Sequence, residues 1–132
     1  MSRTYSLSIT ILVVVTAIAL VVLGSFGNRT RERLEDPSPG DIYMARVNAL
    51  RGGAAEPAIY GLVRVEEVYP DRIVGHPAMH SSPSKRRAYR ELERAIADEV
   101  RYDMSKNIEI ARGDLLGLHA RGVIVVAKAP EA

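Results

Sequence analysis

His76 and His80 are four residues apart, the spacing that on a helix brings two imidazoles to one side of a metal ion. Pro77 lies between them, directly after a strand pattern, which places the pair on a loop. His119 is the only other imidazole, and a closed zinc site needs three or four converging ligands. Ordinary loop histidines are the better reading, and metal binding is the alternative. Ser82 and Lys85 set a hydroxyl three residues from an amine. The serines, however, sit in Pro-rich loops without a nearby imidazole, and the carboxylates alternate with arginines as solvated faces do. There is no cysteine and no Gly-rich phosphate loop. No catalytic, cofactor-binding or metal residue is assigned on this pattern. The expected function is a tethered binding or structural module, and not an enzyme.

Lys85, Arg86 and Arg87 form the one compact basic run. They fall at a helix amino terminus, where the macrodipole disfavours cations, so a solvated surface is the ordinary reading and contact with anionic lipid the functional one. The formal charge is +2, with acids and bases interspersed, which is unlike the clustered field of a nucleic-acid binder. Fifteen arginines against three lysines, with abundant Ala, Gly and Val, fit a GC-rich bacterial genome.

The chain of 132 residues must position these groups with little material. Thr4 to Asn28 carries no charged side chain, and Arg3 and Arg29 bracket it. About 20 apolar residues in a helix cross a hydrocarbon core of about 30 Å with every backbone group paired. Residues 4–28 are therefore expected to be a transmembrane anchor and to make the lipid bilayer the first partner. A cleaved signal peptide is the competing reading, because Ser25 and Gly27 place small residues where a signal peptidase reads. Arg29, Arg31 and Arg33 after the span lean toward a cytoplasmic domain, whereas a short amino-terminal segment is also usual for an exporting anchor. The expected location is the cell membrane, single-pass, with either side open for the soluble domain. The partner expected beyond lipid is another envelope or membrane protein.

Residues 29–39, charged and then broken by Pro37 and Pro39, read as a juxtamembrane linker, and 40–132 as one soluble α+β domain. Asp41 to Asn48 alternates with period 2 as a strand does, and Ala49 to Ala58 reads as a flexible loop. A longer strand is expected from Ile59 to Tyr69, with a bulge where the alternation slips at Glu66-Glu67. Pro70-Asp71 turns the chain into a strand over Arg72 to Gly75, stopped by Pro77. Ser82 as cap and Pro83 at the first helical position open a helix with a core stripe of Tyr89, Leu92, Ile96 and Val100. Ile108 to Ile110 suits a short strand, and Asp114 to Ala120 a short helix closed by Gly122 as left-handed cap. The continuous apolar run Val123 to Ala127 suits a central strand covered on both faces. The fold class is thus α+β: an antiparallel sheet of four or five strands, partly closed in the manner of an SH3-like barrel, with one long amphipathic helix and one short helix.

Three resemblances bear on these residues. The spacing of Ser82 and Lys85 is similar to that of penicillin-binding proteins, whose domain is more than twice this size and whose other motifs are absent here. Pro37-Ser38-Pro39-Gly40-Asp41 after a span, with Asp71-Arg72-Ile73-Val74-Gly75-His76-Pro77, resembles type I signal peptidases, and would imply a serine hydrolase. In that family a lysine general base stands where Asp71 stands here, and the later Gly-Asp-Asn motif is missing. Gly40-Asp41-Ile42-Tyr43, Tyr60-Gly61-Leu62-Val63 and Gly122-Val123-Ile124-Val125 look like small uncharacterised bacterial proteins carried behind a membrane span. That likeness implies a fold and an envelope setting, and no activity.

Overall fold

In a computed structural model the residues described are 29–52 and 56–130. The expected membrane span, 4–28, lies outside them; among the described residues no helix is long and apolar enough to cross a membrane.

Residues 29–35 are helical (α1) and are followed by β1 (Ile42–Arg46), a single turn α2 (Val47–Leu50), β2 (Tyr60–Val68) and β3 (Arg72–Pro77). Helix α3 (Lys85–Ile96), β4 (Ile108–Ala111), a 3-10 turn at Arg112–Asp114, α4 (Leu115–Ala120) and β5 (Ile124–Lys128) complete the domain. All neighbouring strands are antiparallel, in the order β4-β3-β2-β1-β5. The α+β class holds. The order is linear, with β4 and β5 as edges, so the expected partial closure into a barrel does not form among the described residues.

Because strand side chains alternate, β1 feeds two cores at once. Tyr43 and Ala45 join Val63, Val65, Ile73, Leu115 and Ile124 on one face, under α1 and α4. Ile42 and Met44 join Leu62 on the other, under Ala88, Leu92 and Ala95 of α3. The sheet is the middle of three layers, which makes β1 buried on both sides.

The expected linker is corrected by α1. Thr30, Leu34 and Pro37 stand at i, i+4 and i+7, a narrow stripe that is buried while the charged residues between them are solvated. Leu34 lies inside the first core. The helix α3 also departs from its expected form. Ser84 caps it, accepting from the Arg87 N–H at 3.3 Å, and the Ser82 hydroxyl accepts from the Ser84 N–H one step earlier. Its buried stripe is Ala88, Leu92 and Ala95, with Tyr89 42% exposed. Two alanines let the helix axis approach the sheet closely, which turns the larger Tyr89 out to the flank.

The bulge in β2 forms where the alternation slips: the register against β3 shifts between Val65 and Glu67. Pro77 does not stop β3 but ends it inside the ladder, opposite Val63. Ala78 donates to Leu62 O and Pro77 O accepts from the Asp103 N–H, so the missing donor of Pro77 faces away from β2, where no ladder bond is due. Gly122 has the expected left-handed conformation, φ 76°. The run Val123 to Ala127, expected at the centre, is instead the edge strand β5. It is apolar because Ile124 and Ala127 pack on the first core while Val125 and Val126 pack on the second.

Candidate functional site: a cleft along the β5 edge

An edge strand leaves every other N–H and C=O without a ladder partner. On β5 two of these groups are met by side chains. The Ala127 N–H donates to Thr30 Oγ1 of α1 at 3.3 Å, and His119 Nδ1 of α4 lies 2.8 Å from Ile124 O. A carbonyl only accepts, so Nδ1 carries a proton in this contact. Between these two anchors a cleft of about 790 Å³ runs beside the strand. Its floor is Val125, Val126 and Ala127; Arg29, Glu32 and Arg33 of α1 form one wall, and Tyr89 of α3 stands at the other. Lys128 lines its end.

Arg33 is held from below. Asp41 is wholly buried; its Oδ2 accepts from the Ser38 N–H at 2.9 Å, and Arg33 Nη1 stands 3.8 Å from Oδ1. Loss of water around this carboxyl raises its pKa, against the opposing pull of the Ser38 N–H and of Arg33, with Asp36 adding to the rise. Oδ1 has no hydrogen-bond partner among the described residues, and neither has the buried hydroxyl of Tyr43. Burial, and then the Asp41 charge, push the Tyr43 hydroxyl far above its ordinary value, with Arg112 opposing.

The sign for stability follows from the direction at Asp41. A carboxyl whose folded pKa is raised stabilises the fold fully below its unfolded value near 3.8, and that contribution is lost as pH rises through the folded value. Asp41→Asn cannot ionise and keeps an acceptor for Ser38. It is expected to gain stability relative to the parent as pH rises from about 3 to 7, which paired thermal melts would read. A pH-independent difference would contradict the burial of a charge there.

The residues singled out by spacing do not converge. His76 Nδ1 lies 2.8 Å from Lys106 O, pinning the loop before β4, while His80 is exposed and His119 serves β5. Among the described residues no group of three or more His, Cys, Asp or Glu could hold a metal. Asp71 sits exposed in the β2–β3 turn, paired with Arg72 at 3.1 Å, and Ser38 uses its backbone on Asp41. Lys85, Arg86 and Arg87 are all exposed on the first turn of α3. The cleft itself was not legible in the sequence, because its signal is divided among α1, α3, α4 and β5; the spacing of Arg29 and Arg33, one turn apart before a buried Leu34, was the readable part.

Fold and cleft together define a small α+β domain with helices on both faces of an open antiparallel sheet and a groove along one edge. Compared with protein-family models, with curated proteins and with solved structures, the chain matches none.

Proposed function

We propose that this chain is a single-span membrane protein whose domain is a binding module held at the bilayer surface, and not an enzyme. The observation that carries the reading is the position of the β5 cleft. Its wall begins at Arg29, the first residue after the uncharged stretch 4–28, so a span there holds the cleft against the membrane. Helix α1 packs into the core, which makes the tether short and fixes the orientation of the cleft. The floor is apolar, as surfaces that recognise partners are, and the partner is one reachable at the membrane: lipid or another membrane or envelope protein. Two polar groups of the lining, the Thr30 hydroxyl and His119 Nδ1, are engaged with β5 itself.

In a strain whose deletion phenotype is complemented by the full chain, Val126→Glu is expected to abolish complementation at unchanged protein level. Ser38→Ala, Asp71→Ala and His80→Ala are expected to complement fully. Loss of complementation by one of those three in a stably folded chain would overturn the module reading in favour of catalysis or metal binding.

A further inference from the structure

The charges around the cleft narrow the choice of partner. Arg29 and Lys128 line it and have no ion pair among the described residues, and Arg33, shared with Asp41, is the third cation; Glu32 is the one acid of the lining. Across the floor, Tyr89 is exposed at the flank of α3, and Lys85 and Arg86 precede it by four and three residues, which places both beside it on the helix surface. Neither has an ion pair among the described residues, and both are exposed. Arg87 turns to the other side of α3, toward His80 and Ser82. Cations therefore rim an apolar floor, with an aromatic ring at the mouth. This is the pattern of a surface that meets phospholipid: cations for phosphate, an amphipathic ring for the glycerol level, and branched aliphatic side chains for the first methylenes.

We infer that the β5 cleft binds the headgroup of an anionic phospholipid in the same bilayer that holds residues 4–28. The phosphate sits among Arg29, Arg33 and Lys128, and the start of the acyl chains lies on Val125 and Val126 beside Tyr89. The inference rests on the membrane-tethered reading above and names the ligand of that site. It also gives the edge a reason to be plugged: with Thr30 on Ala127 N–H and His119 on Ile124 O, an incoming strand finds those backbone groups occupied, whereas a lipid needs none of them.

The chain has no tryptophan, so Tyr89→Trp places a single reporter at the mouth of the cleft. The full chain carrying that change, reconstituted in phosphatidylcholine nanodiscs, is titrated with phosphatidylglycerol brominated in its acyl chains, and separately with brominated phosphatidylcholine. Quenching is expected at low mole fractions of the anionic lipid only. Adding Arg29→Ala and Lys128→Ala should shift the midpoint by about fivefold per cation removed, the effect of one basic residue near an anionic surface. Equal quenching by the two lipids, no quenching by either, or relief by inorganic phosphate would overturn the proposal while leaving the tether intact. A chain that fails to enter the discs would overturn the membrane reading and the lipid site together.

Discussion

Replacing Leu34 by alanine is expected to destabilise the domain by about 2–5 kcal/mol, the range for truncating a fully buried leucine. Leu34 is 2% exposed and belongs to the cluster that includes Tyr43, Val63, Leu115 and Ile124. The loss combines the transfer of the missing methyl groups with a cavity that the sheet and α4 cannot close by moving independently. Denaturant unfolding of the variant and parent would read it. A difference within about 0.5 kcal/mol, the usual range for a surface substitution, would return residues 29–35 to the status of linker. Leu34→Asp sharpens the test, since a carboxylate in that site has no partner to offset its desolvation.

Gly75→Ala is the second large effect, expected at about 1–3 kcal/mol or more because the added methyl has nowhere to go. A Cβ built on Gly75 would stand 2.5 Å from Arg64 O and 3.0 Å from a methyl of Val63. The first neighbour is backbone in the centre of β2, beside the bulge that shifts the register between Val65 and Glu67. Relief would require β3 to move off β2. Gly117→Ala, where an added Cβ meets nothing within 4 Å on α4, provides the control and is expected to be neutral or mildly stabilising. Equal effects of the two changes on the urea midpoint would contradict this account of the β2–β3 approach.

The features legible in the sequence were those written in local chemistry. The bulge at Glu66-Glu67 showed as a slip in alternation, and Gly122 marked a helix end because its backbone needs a positive φ. What stayed hidden depended on neighbours in space. An apolar run states that both faces of a strand are covered, and Val123 to Ala127 satisfied that from the layers above and below; it carries no information about lateral neighbours, so β5 was assigned to the middle of the sheet and lies at its edge. The α3 stripe read as Tyr89, Leu92, Ile96 and Val100 because large side chains dominate a hydrophobicity pattern; Leu92 is buried and Ile96 and Val100 pack against the second core, but Tyr89 is turned out and the small Ala88 and Ala95 complete the contact. In α1 two buried positions among five charges looked like a linker, because the core beneath them is built by residues distant in sequence. The site was hidden for the same reason. Its residues are spread from Arg29 to Lys128, and only the sheet order brings them together.

The central claim is that the β5 edge, and not the other edge of the sheet, is the surface this domain uses at the membrane. A photoreactive amino acid placed at Val126 on β5, or at Glu109 on β4, in the full chain within native membranes distinguishes the two directly. Adducts from position 126 with a membrane component, and none from position 109, are expected. Adducts concentrated at position 109, with position 126 silent in a chain that remains folded and membrane-bound, would contradict the account.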